Sequence, residues 1–401
     1  MLFDDIKTEF PTLKNNPELA YFDSAASTQT HQSVLDRMNR YYEHERCNIH
    51  RGDFHISQKV TQDCETARQQ VAELINASSE QIVFTSGATE GLNTVAHWHR
   101  HTPVVIISET EHTANILPWI TQGRTVENNR LAVLPINDNG YIDFEQAKKL
   151  FEKNKYSLLS VVSTSNVTGV TQNITKLIGL AHEYGIRVCL DACQTLSSHS
   201  IDVKLCEADY LVASGHKMFG PTGIGFLYVK ADVNKLEPLK HGGGTVSTYN
   251  FSGNVKFYDG PIYHEPGTPN IAGVLGLGVA AEWINFVGYD NIALRIRQVD
   301  EWLEDAGLFD IKHLQLSHAV QNDYQNVYSF IAKGFHPADI SAFVGLEDVA
   351  VRVGKVCAHP IVNKISHNKG IFRVSTHVYN DKQDCEKLVE AIWKAIKKIS
   401  W

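Results

Sequence analysis

Between residues 82 and 229 the chain alternates short, almost unbroken apolar runs with longer stretches whose apolar positions recur at helical spacing. Runs at 82–85, 104–108, 131–135, 158–163, 187–191, 210–214 and 225–229 lack the polar–apolar alternation of half-exposed strands, so each is expected to be covered on both faces. Strand and helix patterns in alternation give an α/β class, a doubly wound and mainly parallel seven-stranded sheet. A shorter run at 20–23 precedes them, and the Gly- and Pro-rich stretch 235–270 is expected to loop over the site. Small and apolar residues at helical spacing over 271–286 open a long connecting helix. Runs near 327–332, 349–353 and 370–375, with an amphipathic helix over about 382–399, predict a smaller C-terminal α+β domain. The expected division is an N-terminal segment at 1–20 packing with the small domain, a large domain at 21–270, and the helix plus small domain at 271–401.

Composition narrows the function. The chain has 401 residues, 43% hydrophobic and 20% charged, which suits a globular protein with two cores. A formal net charge of −8 with no basic cluster argues against a nucleic-acid surface. No apolar run approaches the roughly 20 residues of a membrane helix. The start, Met1-Leu2-Phe3-Asp4-Asp5-Ile6-Lys7, lacks a signal pattern, so a cytoplasmic address is expected. Seven cysteines without a short secreted framework suit a reducing compartment. Cys189 and Cys193 have no second pair or histidines at zinc spacing, and no metal site is expected there.

Residues with chemistry collect where such a sheet binds its ligand, just past the carboxyl ends of the runs. Ser86, Glu111, His112, Asn166, Asp191, Ser214 and Lys217 all stand there. A lysine directly after a buried strand is either a solvated loop residue or a desolvated amine, and a desolvated amine is a nucleophile. Such an amine forms a Schiff base with an aldehyde. Pyridoxal phosphate is the common biological aldehyde held that way, with an acid supporting its ring nitrogen. Asp191 ends the run 187–191, and Ser86-Gly87-Ala88-Thr89-Glu90-Gly91 places small residues at a helix start, the layout that seats a phosphate on backbone N–H groups.

Further segments extend the pattern: Tyr21-Phe22-Asp23-Ser24-Ala25-Ala26, His50-Arg51-Gly52, Glu111-His112, Ser165-Asn166-Val167-Thr168-Gly169, Ser214-Gly215-His216-Lys217, Glu265-Pro266-Gly267-Thr268-Pro269-Asn270 and Cys357-Ala358-His359-Pro360. In this order they resemble the fold-type I pyridoxal-phosphate enzymes, the class V aminotransferase branch within them, and most closely its cysteine desulfurase group of the SufS and CsdA kind. The likeness spans nearly the whole chain.

The resemblance implies that Lys217 holds the cofactor and moves the proton at the substrate α-carbon. It implies Asp191 at the pyridine nitrogen, Gln194 at the ring oxygen and His112 against the ring. Thr89, Ser214, His216 and the backbone of Gly87, Ala88 and Thr89 would hold the phosphate. Thr268 would reach the phosphate of a second subunit, which implies a homodimer, with His50 and Arg51 at the shared cleft. Arg373 would clamp the substrate carboxylate, a task a planar guanidinium performs better than an ammonium, with Asn166 helping to orient it.

Cys357 bears on which bond breaks. It stands in Arg352-Val353-Gly354-Lys355-Val356-Cys357, with Lys355 and His359 as neighbours expected to favour the thiolate. The implied reaction converts L-cysteine to L-alanine and leaves a persulfide on Cys357, whose outer sulfur passes to a small SufE/CsdE-like acceptor protein. L-Selenocysteine is a neighbouring substrate, and a selenocysteine lyase or another class V aminotransferase or lyase with an incidental Cys357 is the alternative. The sequence departs from the family pattern at Ala88, where a second threonine is common, and at Thr113, where a second histidine is. It departs also at Lys355-Val356 and at Ala192-Cys193. These changes leave substrate choice and rate open.

Overall fold

In the computed structural model, residue 3 and residues 5–50, 52–318 and 325–400 are described. The strands of the large sheet are β1 (Ile82–Thr85), β2 (Val105–Ser108), β3 (Leu131–Leu134), β4 (Leu158–Val162), β5 (Arg187–Asp191), β6 (Tyr210–Ser214) and β7 (Gly225–Val229). Their spatial order is β1-β7-β6-β5-β4-β2-β3. The run from β6 to β3 is parallel, while β7 is antiparallel to both β1 and β6. Five of these strands are buried throughout; β5 is exposed only at its first residue, Arg187, and β3, at the sheet edge, is exposed or partly exposed at Ala132 and Val133. That is why their sequences read as continuous apolar runs.

The helix Ile271–Val287 is apolar and buried over most of its length, because His55–Leu74 and Gln32–His44 pack over it. Among the described residues no single helix is long and apolar enough to cross a membrane. Glu265 fixes the loop before that helix: its carboxylate takes two hydrogen bonds from Arg68, at 2.6 and 3.0 Å, and one from the backbone N–H of Phe84 at 2.7 Å.

The sequence expectation of a plain loop over 235–270 needs correction. Two short antiparallel strands, β8 (Val246–Tyr249) and β9 (Val255–Phe257), form a hairpin there with Tyr249, Phe251 and Val255 exposed. Farther on, β10 (Leu314–Leu316), β11 (Val327–Ala332), β12 (Arg352–Gly354) and β13 (Ile371–Ser375) make a four-stranded antiparallel sheet in the order β10-β11-β13-β12. The helix Lys382–Ile399 covers it, capped by Asp381 in a reciprocal box with Asp384. The run expected at 349–353 divides: Val349–Ala350 pairs in parallel with Ala20–Tyr21, whereas Arg352–Gly354 joins the four-stranded sheet. Phe22 accepts from Ser375 and Asp23 bridges to the same residue, which ties the 20–27 segment to β13.

Candidate active site

At the carboxyl ends of β1, β4, β5 and β6 the chain encloses a cavity of about 290 Å³. Its lining brings together Ala88, Thr89, His112, Asn166, Asp191, Gln194, Ser214, His216, Lys217, Cys357 and Arg373, all singled out in the sequence. Arg352, Cys193, Ala25 and Val356 also line it.

Lys217 follows β6 in a single tight turn and is half-buried, without a hydrogen bond or ion pair to another described residue. Its backbone, by contrast, is gripped from both sides by Thr28. The Thr28 hydroxyl donates to the carbonyl of His216 at 3.1 Å and accepts from the N–H of Phe219 at 2.8 Å. Ser27 Oγ and the Thr28 N–H also donate to the His216 carbonyl, at 3.1 and 2.9 Å. Phe219 sits in the left-handed region at φ +61°, and its ring packs on Trp283 and His377. A rigid backbone under a free amine is what aiming that amine requires. Neither Ser27 nor Thr28 is legible as a functional residue in the sequence.

The start of the helix Ala88–Trp98, the stretch expected from the sequence to seat a phosphate, borders the cavity through Ala88 and Thr89. Gly87, its N-cap at φ +148°, takes a conformation that side chains rarely adopt. A Cβ on Gly225 of β7 would come within 2.7 Å of Gly87 Cα, so glycine on the neighbouring strand lets this turn close against β6. Ser214 Oγ accepts from the N–H of Ala88 at 2.9 Å, leaving its own hydrogen to donate. Burial, and then the Lys217 charge, pull His216 down to about 4, so its imidazole is neutral near pH 7.

Asp191 Oδ1 accepts from the N–H of Cys193 at 3.0 Å, and Gln194 Nε2 donates to the carbonyl of Ala25 at 2.6 Å. His112 Nδ1 accepts from the N–H of Ala114 at 3.1 Å, which places the proton of its neutral ring on Nε2. Burial, and then the charge of Lys217, hold its pKa below the ordinary value.

Beneath His112 lies Glu111, fully buried and missed as more than part of a motif. It accepts from Ser108 Oγ at 2.5 Å, the Val162 N–H at 3.0 Å and Asn115 Nδ2 at 2.6 Å, yet burial still pushes its carboxyl from 4.5 up to about 7. Between those two values the native state holds a proton that the unfolded chain has lost, so this group's contribution to stability falls as pH rises through the window. Compared with Glu111→Gln, which cannot ionise, the wild type should lose on the order of 3 kcal/mol from about pH 5 to about pH 8 in calorimetric unfolding. A difference that does not vary with pH contradicts this.

Arg373, on β13, is 2% exposed; its Nη1 donates to the Asn166 carbonyl at 3.1 Å and its Nη2 to Asp23 at 3.2 Å. Arg352, whose place in the site the sequence did not show, grips the same Asp23 carboxylate from the other side through Nε at 3.1 Å. Two guanidiniums on one carboxylate leave a net positive charge at the cavity wall. Nε of Arg373 and Oδ1 of Asn166 are buried without a hydrogen-bond partner among the described residues.

Cys357 is exposed and lines the cavity. Val356 and Cys357 both have positive φ, +42° and +55°, and for a β-branched valine that conformation is an outlier costing of order 1–3 kcal/mol. The Lys355 ammonium is also bonded to Asn363 Oδ1 and the Asn368 carbonyl, which fasten the loop to the next helix. Arg352 and Arg373 are further cationic neighbours of the thiol.

Thr268 and His50 do not enter this cavity. They line a second one of about 750 Å³ with Asn48, Gly243, Gly244 and Tyr258, and Arg51 lies outside the described residues.

Comparison with known proteins gives one consistent result. The family model described as Aminotransferase class-V matches residues 20–388. A probable cysteine desulfurase of Vibrio cholerae is 34% identical over 403 residues, covering 98% of each chain. A cysteine desulfurase of Shigella flexneri is 34% identical over 400 residues, covering 97% of each. Among solved structures, the apo cysteine desulfurase of Thermococcus onnurineus superposes with a TM-score of 0.89 at 31% identity. The Escherichia coli cysteine desulfurase CsdA, in an S-sulfonic acid form, superposes at 0.86 and 31%; both cover 98% of each chain.

Proposed function

The chain belongs to the class V aminotransferase family, and from that premise we propose that it is a pyridoxal-phosphate-dependent cysteine desulfurase. It moves the sulfur of L-cysteine onto Cys357 as a persulfide and releases L-alanine. The observation that carries this reading is that one cavity is lined by an unpaired lysine, a guanidinium with one unpartnered N–H and an accessible thiol.

The cavity suits the cofactor. It offers an unpaired amine, an acid beside it, and at its far wall a glycine-capped helix start flanked by the Ser214 hydroxyl and a neutral imidazole. Lys217 would hold the aldehyde carbon, Asp191 and Gln194 the ring, and Thr89, Ser214, His216 and the backbone of Ala88 the phosphate. When bound, pyridoxal 5′-phosphate supplies an aldehyde that amines capture and a ring that draws off the electron pair released at the substrate carbon.

The residues of the chain divide the remaining work. Arg373, steadied by Asp23, and Arg352 bind the substrate carboxylate, with Asn166 beside it. Lys217, once free, removes and returns the proton at the α-carbon. The Cys357 thiolate attacks the substrate sulfur: a sulfur–sulfur bond forms, the carbon–sulfur bond breaks, and its electron pair stays with the carbon fragment, which is protonated to alanine. One thiol and one cysteine thus become one persulfide and one alanine.

Transfer of the outer sulfur, which restores the Cys357 thiol, then needs an acceptor thiol, and the exposure of Cys357 favours a small protein of the SufE/CsdE kind serving iron–sulfur cluster assembly. The second cavity, with Thr268 and His50 on its wall and the apolar hairpin tip at Phe251 exposed, supports a homodimer in which each subunit completes the other's site. Seven free cysteines favour a reducing, cytoplasmic setting.

With L-cysteine and excess thiol reductant, the purified protein should release alanine and sulfide in equal amounts. A keto acid without sulfide rejects the reading. Arg373→Lys keeps the charge and loses the planar fork, so KM for L-cysteine should rise roughly tenfold to a hundredfold in steady-state assays. An unchanged KM removes Arg373 from the substrate site.

A further inference from the structure

Cys357 is held over the cavity by its own backbone, and most of the hold comes from one residue. The Cys357 carbonyl accepts two hydrogen bonds from Thr113, one from the backbone N–H at 2.6 Å and one from the hydroxyl at 2.7 Å. The preceding carbonyl, of Val356, accepts from Asn166 Nδ2 at 2.8 Å. Those two carbonyls belong to the two consecutive residues with positive φ. A backbone that bulky side chains disfavour stays in place when its surroundings over-determine it, and here the surroundings are Thr113 and Asn166.

The position of Thr113 in the chain makes the clamp more than a local turn. Glu111 is anchored in the core by Ser108, Val162 and Asn115, His112 faces the cavity, and Thr113 takes hold of the thiol loop. Three successive residues therefore link the rigid sheet, the cofactor pocket and the nucleophile. The outer ends of the loop have separate anchors: Lys355 is tied to Asn363 and Asn368, and Ala358, Ile361 and Val362 are buried against Val167 and Ile371. Between those anchors the thiol is set by what holds the carbonyls of residues 356 and 357. Any residue but proline at 113 offers a backbone N–H, but the second hydrogen bond requires a hydroxyl on a short side chain.

We propose that Thr113 is a positioning residue for sulfur transfer: its hydroxyl locks the left-handed Val356–Cys357 turn so that the thiol is presented to the substrate sulfur. This rests on the desulfurase reading, deepening it by naming what sets the geometry of the attacking thiol. Because Thr113 holds the loop and not the substrate, its loss slows capture of sulfur without weakening binding of L-cysteine.

The test compares wild type, Thr113→Val and Thr113→Ser as full-length, cofactor-loaded proteins. Persulfide formation on Cys357 is followed in a single turnover, KM for L-cysteine at steady state, and amide hydrogen exchange over residues 352–359 without substrate. For Thr113→Val, the loss of one hydrogen bond should slow persulfide formation about tenfold, leave KM within about twofold and speed loop exchange at least about threefold. Thr113→Ser, which keeps the hydroxyl, should match wild type in all three. Unchanged persulfide formation in Thr113→Val, unchanged loop exchange, or a Thr113→Ser protein as slow as Thr113→Val overturns the proposal. If wild type itself forms no persulfide, the desulfurase reading fails, while the exchange comparison still decides whether the hydroxyl holds the loop. Should Thr113→Val not fold, Thr113→Ala removes the same hydroxyl and is judged by the same outcomes.

Discussion

Replacing Lys217 with alanine is expected to cut turnover of L-cysteine by roughly a thousandfold or more, since under the proposed mechanism it removes both the amine that would tether the cofactor and the base at the α-carbon. Lys217→Arg should be nearly as inactive. Its guanidinium keeps the charge but stays protonated, so it is neither a nucleophile nor a proton shuttle. Neither variant should lose much thermal stability, because Lys217 has no hydrogen bond or ion pair among the described residues and its backbone is fixed through residues 216 and 219. That pairing of near-total loss of rate with an intact fold separates a chemical lysine from a structural one. Steady-state assays with calorimetry on the same samples read it, and turnover within tenfold of wild type would place the chemistry elsewhere.

The second large effect is at Cys357. Exchanging its sulfur for oxygen, in Cys357→Ser, should lower alanine release from L-cysteine by about a hundredfold and abolish enzyme-bound persulfide, because serine's hydroxyl is not ionised near neutrality and is a poor acceptor of sulfur. Little else should change. The hydrogen bonds that shape the loop go to the backbone carbonyls of residues 356 and 357, not to Sγ, so the serine is presented as the thiol was. Residual activity that rises with added thiol would be expected, an external sulfur nucleophile standing in for the missing one. Alanine release at the wild-type rate would make Cys357 incidental and favour a lyase that needs no enzymic thiol.

Much of this site is legible in the sequence because buried parallel strands write themselves as apolar runs, and their ends mark where polar residues converge. The runs expected at 104–108, 131–135 and 158–163 differ from the strands by a single residue at one end. Position along a strand is therefore enough to gather Asp191, Asn166, Ser214 and Lys217. What the pattern cannot carry is anything that depends on backbone twist or on pairing between distant segments. The exposed hairpin at 246–257 buries neither face, so it leaves no period to read. The strand at 349–353 splits because Val349 and Arg352 belong to different sheets, and the residues between them do not announce the switch. Asp23 is 329 and 350 positions from the two arginines it joins, and Thr28 is 191 positions from Phe219 in the lysine loop it grips. The left-handed pair at Val356 and Cys357 runs against propensity, as functional turns do when their neighbours supply the restraint.

Lys355 shows the same limit from the other side. A cation two residues from a thiol is a reasonable candidate for favouring its ionisation; its ammonium also fastens the following helix, and further cations near Cys357, which the sequence did not place there, come from strands β12 and β13. Sequence neighbourhood and spatial neighbourhood part company wherever the chain bends sharply.

The mass of the Cys357 peptide after the loaded protein meets an equimolar amount of L-cysteine without reductant tests sulfur transfer to that thiol most directly. The expected result is a gain of one sulfur atom on that peptide, matched by an equal amount of free alanine and absent from Cys357→Ser. Alanine or keto acid formed while the Cys357 peptide keeps its original mass, or sulfur found on another cysteine, would contradict it.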